Sequence, residues 1–217
     1  MRSSIWSNAQ KETLTGFPIE RNEVFSSLTA AASIVKNRNL NPMLILEEDA
    51  IKDFPERRSV ELDSVLVGLA PDKFNYVTMT EAFQLIKTKK APLLAVNKSR
   101  YIMGSQGLRL GPGCFVAGLE YSSGVQAECV GKPEETFFSA ALDHMNKLFG
   151  SNISKEDTVM IGDDVKDDVV GAQACNFQGC LVKTGKYSPG DEEVLTPLKP
   201  DHLFPSIAEA IKVFTSE

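Results

Sequence analysis

The chain has 217 residues, of which 23 are Lys or Arg and 29 are Asp or Glu, so its formal net charge is −6. Apolar residues make up 42% and charged residues 24%, values that are typical of a globular protein and exclude wholesale disorder. The acidic balance argues against a nucleic-acid partner, which needs a basic surface. No run of about 18 apolar residues predicts a membrane span. The first residues lack the apolar stretch of a secretory signal, so we expect a cytoplasmic protein.

The first half of the chain predicts an α/β unit. Residues 26–36 and 78–88 predict helices because apolar residues recur there at helical spacing. Residues 43–47, 64–68 and 92–97 are short apolar runs, which are typical of buried strands. Helices that alternate with such strands indicate an α/β fold.

A glycine-rich segment at 104–113 follows and predicts a domain boundary or hinge. Beyond it, residues 113–121 predict a helix and residues 127–130 a short strand. Residues 134–149 have a broad apolar face and predict the clearest helix of the chain.

The rest of the chain predicts a second α/β unit. Residues 158–162 and 179–183 predict strands, with a helix around 168–175 between them. A connection of this kind is expected to form a right-handed βαβ unit. Residues 205–214 predict a closing helix.

A cluster of carboxylates follows the strand predicted at 158–162, and its members are Asp163, Asp164, Asp167 and Asp168. Ligands of parallel sheets bind at the carboxyl ends of the strands. Carboxylates gathered at such an edge repel one another unless a cation lies among them, and hard oxygen ligands suit Mg²⁺. The alternative is a turn in which Asp caps the next helix.

Lys132 lies between a predicted strand and a predicted helix, so it is expected to project from the same edge. A Lys, Mg²⁺ and carboxylates at one edge would serve phosphoryl transfer, in which charge neutralisation and positioning dominate. A lone Lys at a strand end is otherwise solvated. On its position alone, Lys132 is compatible with either role.

Two further motifs carry less information on their own. Ser7 and Asn8 are a short polar pair that could hold phosphate oxygens by hydrogen bonds. The sequence Gly185-Lys186 is followed by Tyr187, not by Ser or Thr, so a P-loop is disfavoured. A phosphoacceptor receiver domain is also disfavoured, because it would carry its acidic pair on the first strand and would not need an inserted α/β unit.

In combination these motifs resemble a known family. The G-D-x-x-x-x-D pattern of Gly162, Asp163 and Asp168, preceded by G-K-P at 131–133, resembles the haloacid dehalogenase (HAD) superfamily of phosphatases. The segments LGPGCFVAGLEY at 110–121 and LVKTGKY at 181–187 strengthen the resemblance to its NagD-like branch.

The resemblance implies an α/β fold with a Rossmann-like parallel-sheet core and an inserted α/β cap domain. The core would comprise residues 1–24 and 112–217, and the cap domain residues 25–111. It further implies a Mg²⁺-dependent phosphatase that hydrolyses phosphate monoesters through an aspartyl-phosphate. Its partner would be a small phosphorylated substrate, and the cap domain is where a homodimer would form.

The resemblance also assigns roles to single residues. Asp163 would be the Mg²⁺ ligand, with Asp164 as a second candidate, and Asp168 would be a supporting catalytic carboxylate. Lys132 would steady the nucleophile and the transferring phosphoryl group, and we predict from this that it acts on the phosphoryl group and not on folding. Ser7 and Asn8 would contact the substrate phosphate.

One departure from the family pattern concerns the nucleophile. The family's chemistry begins on a strand with a D-x-D-G-T-like motif, whose two Asp residues act as nucleophile and general acid/base. No Asp precedes Asp49 in these 217 residues, and Asp49 falls in the predicted cap domain. A truncated gene model, an alternative start or a fragment would each account for this. The alternative function is therefore a catalytically inactive, truncated form that acts as a binding or regulatory protein.

Overall fold

The structure is a computed structural model that describes residues 20–56, 58–104, 107–193 and 199–216. Ser7 and Asn8 lie outside these ranges, so their predicted roles stay predictions. None of the helices in the described ranges combines the length and the apolar character of a membrane-spanning segment. The chain divides into two compact units, Met1–Gly131 and Lys132–Glu217.

The first unit is built on a parallel sheet of four strands in the order β1-β2-β3-β6. Its elements, in chain order, are α1 (Ser27–Asn37), β1 (Pro42–Ile45), α2 (Glu48–Ile51), β2 (Ser64–Val67), α3 (Tyr76–Lys89), β3 (Leu93–Ala95), β4 (Tyr101–Gly104), β5 (Gly107–Leu110), α4 (Gly113–Ser123) and β6 (Glu128–Cys129). Every residue of β2 is buried, which explains why this strand is a continuous apolar run in the sequence.

Helices cover both faces of this sheet. Val65 and Val67 of β2 pack in one cluster with residues of α3 and α4, whereas Leu66 packs in a second cluster with residues of α1. This division follows from the strand geometry, because successive side chains point to opposite faces. The helices and strands predicted between residues 26 and 97 are confirmed, and they form three layers with the sheet between helices.

Side-chain caps explain where two of these helices begin. The Ser26 hydroxyl accepts a hydrogen bond from the Thr29 amide at the start of α1, and the Asn75 side chain does the same for Thr78 at the start of α3. Such caps satisfy amides that have no partner within the helix.

The glycine-rich segment contributes to a pair of strands, and its predicted role as a domain boundary or hinge stays a prediction. Strands β4 and β5 pair in antiparallel register, with Tyr101 opposite Leu110. The glycines that follow allow close backbone approach: a Cβ on Gly111 would collide with the Ser99 carbonyl, and one on Gly113 with the Lys98 carbonyl. Gly111 and Gly113 therefore allow close packing of the backbone at these two positions.

The first compact unit ends at Gly131, whereas the cap domain is predicted to end at residue 111, and that domain boundary stays a prediction. Helix α4 packs against α3, and β6 pairs with β3 through Leu94 and Glu128. Residues 112–131 therefore lie with the first unit and not with the second. The assignment of residues 1–24 to the core falls largely outside the described ranges and stays a prediction.

The second unit has a parallel sheet of three strands in the order β7-β8-β9. Its elements, in chain order, are α5 (Glu135–Phe149), β7 (Val159–Gly162), a π-helical segment (Val165–Val170), α6 (Gly171–Ala174), β8 (Gln178–Val182), β9 (His202–Phe204) and α7 (Ile207–Phe214). The α/β fold class with parallel sheets is confirmed. Strand β9 was not predicted, because three residues are too few to show a period.

Candidate functional site

The carboxyl edge of β7 carries the acidic cluster. Strand β7 ends at Gly162, which pairs in parallel register with Leu181 of β8, and Asp163 follows directly. The Oδ2 atom of Asp163 accepts a hydrogen bond of 2.8 Å from the backbone amide of Lys186, in the segment that follows β8. The two strands therefore deliver Asp163 and Lys186 to the same edge of the sheet.

Asp164 is the N-cap of the π-helical segment. Its Oδ1 atom accepts hydrogen bonds from the Lys166 and Asp167 amides, at 3.1 and 2.9 Å. Its Oδ2 atom lies 3.1 Å from the Lys186 ammonium. Burial alone would raise the pKa of Asp164, but these hydrogen bonds and the Lys186 charge outweigh it and hold the pKa below its ordinary value. Both oxygens of Asp164 thus have protein partners, which suits a helix cap better than a metal ligand.

Asp168 and Lys132 form the central ion pair of this edge. Asp168 is only 3% exposed, and its Oδ1 atom lies 2.5 Å from the Lys132 ammonium. Its Oδ2 atom accepts a hydrogen bond of 3.1 Å from the Asp164 amide. The structure therefore brings together Lys132, Asp168 and the segment that begins at Asp163.

This pairing changes what is expected of Lys132. A buried carboxylate without a counter-charge is costly, so we expect the Lys132 ammonium to contribute to folding as well. The ion pair with Asp168 therefore argues against the prediction that Lys132 has no part in folding. The ammonium has three donors and its side chain is 34% exposed, so pairing with Asp168 still leaves N–H groups for a phosphoryl oxygen.

Asp167 completes the cluster as a half-buried carboxylate. Burial raises its pKa, and the nearby negative charge of Asp164 raises it further. The Lys186 ammonium acts in the opposite direction but does not offset these two effects. The edge thus holds an excess of negative charge, which favours a bound cation.

The segment after β8 is braced beside the cluster. The Lys183 ammonium lies 2.9 Å from Glu192 and the Tyr187 hydroxyl donates to the same carboxylate at 2.7 Å. The hydrogen bond from Lys183 is the main cause that lowers the pKa of Glu192 to about 2. These contacts span the stretch that contains Lys186.

Gly185 and Lys186 are site residues that the sequence analysis missed. Gly185 has φ of +57°, and a Cβ there would overlap the Asp163 carboxylate. Only glycine therefore lets the Lys186 amide approach Asp163 without strain. The signal was present in the LVKTGKY segment, but Lys186 was considered only as a P-loop lysine.

The donor set at this edge fits Mg²⁺. The Oδ1 atom of Asp163 has no hydrogen-bond partner within the described ranges. Those ranges contain no group of three or more His, Cys, Asp or Glu that could hold a metal ion. Mg²⁺ commonly uses one or two carboxylates and fills its other positions with water and phosphate oxygens. One available carboxylate oxygen in an acidic setting meets that requirement.

Replacement of Gly162 by Ala should destabilise the second unit. A Cβ at this position would overlap the carboxyl group and Cβ of Asp168, which cannot move without breaking its pair with Lys132. We expect Gly162→Ala to lower the free energy of unfolding by about 1–3 kcal/mol, measured by urea titration. Gly118→Ala is the control, because Gly118 lies in α4 with open space around it. Equal stability of Gly162→Ala and the unmodified chain would contradict this packing.

Comparison with known proteins agrees with this geometry. The HAD-hydrolase-like family matches residues 129–210, a range that contains Lys132, the acidic cluster and Lys186. Haloacid dehalogenase-like hydrolase domain-containing protein 2 from Bos taurus is 45% identical over 181 residues, which cover 83% of this chain and 67% of the relative. Phospholysine phosphohistidine inorganic pyrophosphate phosphatase from Danio rerio is 39% identical over 184 residues, which cover 84% of this chain and 66% of that relative.

Solved structures show the same fold. NagD from E. coli K-12 superposes with a TM-score of 0.78 at 24% identity, covering 93% of this chain and 78% of NagD. A p-nitrophenyl phosphatase from Archaeoglobus fulgidus superposes with a TM-score of 0.82 at 23% identity, and the match covers 94% of this chain and 80% of the phosphatase. With these relatives and this fold, the chain belongs to the HAD-like hydrolase family.

Proposed function

We propose that the chain provides the metal- and phosphate-binding edge of a Mg²⁺-dependent phosphatase, which hydrolyses phosphate monoesters through an aspartyl-phosphate. One observation carries the proposal. A buried carboxylate, Asp168, holds the Lys132 ammonium at the sheet edge where one oxygen of Asp163 has no partner among the described residues. A cationic donor and a metal-binding oxygen at one edge suit a phosphoryl group.

Each residue has a distinct part in this proposal. Asp163 would give the metal its Oδ1 oxygen, since Oδ2 is bound to the Lys186 amide. Lys132 would donate to a phosphoryl oxygen through the N–H groups that Asp168 does not use. Asp168 would orient Lys132 and balance its charge. When bound, Mg²⁺ neutralises charge on the phosphoryl oxygens.

The nucleophile is proposed to come from a strand beside β7. Within the described residues β7 is an edge strand, with β8 as its partner. A parallel strand that ended in D-x-D-G-T and paired with this free edge would bring its Asp residues next to Asp163. Ser7 and Asn8 are proposed, by family resemblance alone, to contact the substrate phosphate.

The substrate is proposed to be a small phosphorylated compound. The names of the Danio rerio and Archaeoglobus fulgidus proteins describe phosphatases that act on phosphoamino acids, inorganic pyrophosphate or p-nitrophenyl phosphate. These names support hydrolysis of a phosphorylated compound by this chain, but only p-nitrophenyl phosphate is a phosphate ester, so they do not select one substrate. A cytoplasmic location and a homodimer through the cap domain are further parts of the proposal.

The test compares two polypeptides in hydrolysis of p-nitrophenyl phosphate. One is the 217-residue chain, and the other, the extended chain, has a D-x-D-G-T strand and its following helix placed before residue 1. We expect Mg²⁺-dependent hydrolysis by the extended chain, loss of it in EDTA, and none by the 217 residues alone, because a covalent nucleophile is required. Replacing the first Asp of the added motif by Asn is the control. Equal hydrolysis by both polypeptides would contradict the proposal.

A further inference from the structure

We propose that Glu192 is a positioning residue of the candidate site: it clamps the turn at residues 184–187, whose backbone orients the Asp163 carboxylate. This inference rests on the proposed function, in which Asp163 is a ligand of the metal. It gives a role to a residue that neither the sequence pattern nor the resemblance assigned. The contacts that support it run from the end of β8, through Glu192, to Asp163.

The turn supplies the backbone group that holds Asp163. The Tyr187 amide donates to the Thr184 carbonyl at 3.0 Å, which closes the turn, and Gly185 within it has φ of +57°. The next amide, that of Lys186, donates to Oδ2 of Asp163 at 2.8 Å. Hydrogen bonds of this kind from neighbouring groups orient the ligands of a metal. The direction of the other Asp163 oxygen therefore depends on where the turn lies.

Glu192 joins the two sides of this turn. Its Oε1 atom accepts a hydrogen bond from the Lys183 ammonium at 2.9 Å, and its Oε2 atom accepts one from the Tyr187 hydroxyl at 2.7 Å. Lys183 precedes the turn and Tyr187 ends it, so one carboxylate holds both sides. The Lys183 ammonium also lies 5.4 Å from the centre of the Tyr187 ring, within the range of a cation–π contact.

The clamp is anchored to the sheet of the second unit. The Lys183 amide donates to the carbonyl of Phe204 in β9 at 3.0 Å, so the backbone of Lys183 continues the pairing of β8 with β9. The hydrogen bond from Lys183 is also the main cause that lowers the pKa of Glu192 to about 2. At neutral pH Glu192 is therefore ionised and accepts both hydrogen bonds.

A second turn returns the chain to Lys183. The Asp191 amide donates to the Ser188 carbonyl at 3.0 Å, and the Ser188 amide donates to the Asp191 carboxylate at 2.7 Å. Pro189 and Gly190 are the central residues, and Gly190 has φ of +97°. Pro-Gly at these positions is typical of a type II turn, whose third residue needs a positive φ. The sequence after β8 thus brings Glu192 back to the place where the segment begins.

Loss of the clamp should let the turn move and the Asp163 carboxylate rotate. Groups that orient a metal ligand typically contribute roughly 10- to 100-fold to metal affinity or activity. Glu192 acts through the turn, so we expect an effect at the lower end of that range. Its ion pair with Lys183 is partly exposed, so loss of the pair should leave global stability almost unchanged.

The first measurement follows the Lys186 amide in the 217-residue chain without metal. Hydrogen exchange of this amide, resolved by nuclear magnetic resonance, reports how firmly it is bound to Asp163. We expect Glu192→Ala to speed the exchange roughly tenfold, and Tyr187→Phe, which removes only the hydroxyl, to speed it less. Lys183→Arg keeps a cationic donor to Glu192, so its exchange should stay close to that of the unmodified chain.

The second measurement is hydrolysis of p-nitrophenyl phosphate by the extended chain at increasing Mg²⁺ concentration. Glu192→Ala should raise the Mg²⁺ concentration for half-maximal turnover roughly tenfold. Gly185→Ala should raise it with the clamp intact, because a Cβ there would overlap the Asp163 carboxylate. Glu135→Ala is the matched control: it also breaks a pair with a lysine, at the start of α5, and should change neither measurement. Urea unfolding verifies that each variant is folded.

The outcomes distinguish this inference from the proposed function. Unchanged exchange of the Lys186 amide in Glu192→Ala would overturn the role of Glu192 alone, since the clamp would not hold the turn. Faster exchange with an unchanged Mg²⁺ dependence would also overturn it, because Glu192 would then brace the turn without positioning Asp163. Absence of hydrolysis by the unmodified extended chain would overturn the proposed function and this inference with it.

Discussion

Lys132→Met is expected to lower both the stability of the chain and the turnover of the extended chain. The substitution leaves the carboxylate of Asp168, which is 3% exposed, without its counter-charge. Removing one partner of a fully buried pair costs roughly 3–5 kcal/mol, and the exposure of Lys132 reduces this to about 2 kcal/mol. Turnover should fall roughly 100-fold, because a donor to the phosphoryl group is lost. Urea unfolding and p-nitrophenyl phosphate hydrolysis measure the two effects.

A double variant separates the two roles of Lys132. Adding Asp168→Asn removes the unpaired charge, and the Asn carbonyl can still accept the Asp164 amide. Stability should then largely return while turnover stays low. Lys155→Met is the matched control, since its pair with Glu135 is exposed and should be worth less than about 1 kcal/mol. Recovery of turnover together with stability would show that Lys132 acts only through folding.

Elements that bury a whole strand or one continuous face of a helix could be predicted from the sequence. Strand β2 is an uninterrupted apolar run because helices cover both of its faces, and helix α5 shows its inward face at helical spacing. Both were predicted close to their observed bounds. The amino-acid pattern is informative here because burial dictates residue type at every position.

The hairpin at 101–110 could not be predicted for the opposite reason. Every residue of β5 is exposed, the apolar Leu108 and Leu110 included, so no buried face marks the strand period of this segment. The glycine-rich segment was interpreted only as a domain boundary or hinge, and the close approach of a backbone carbonyl to Gly111 and to Gly113 was not foreseen. The need for glycine at these two positions is set by the carbonyls of Ser99 and Lys98, so the residues next to each glycine in the sequence do not reveal it.

The site was predictable in its location but not in its pairing. The carboxyl edge of β7 follows from strand order, which placed Asp163 and Lys132 near one another. The pairing of Lys132 with Asp168 joins residues 36 positions apart and depends on side-chain direction. Lys186 was missed because its contacts with Asp163 and Asp164 depend on the course of the chain after β8.

Asp163→Asn is expected to reduce Mg²⁺-dependent turnover of the extended chain roughly 100-fold without loss of stability. Asn is neutral and a poor ligand for Mg²⁺, but its carbonyl oxygen can still accept the Lys186 amide that binds Oδ2 of Asp163. The fold is therefore preserved while the metal loses its carboxylate. A higher Mg²⁺ concentration should restore part of the turnover, because affinity is reduced and not abolished.

Asp164→Asn is the comparison that decides which of the two adjacent carboxylates binds the metal. Asn retains the cap of the π-helical segment and loses only the ion pair with Lys186. If Asp163 is the ligand, Asp164→Asn keeps most of the turnover, whereas Asp163→Asn does not. Asp157→Asn, an exposed change before β7, controls for the loss of one negative charge. If all three variants kept full turnover, the acidic cluster would serve only to cap the segment that follows β7, since no carboxylate there would be needed to hold the metal.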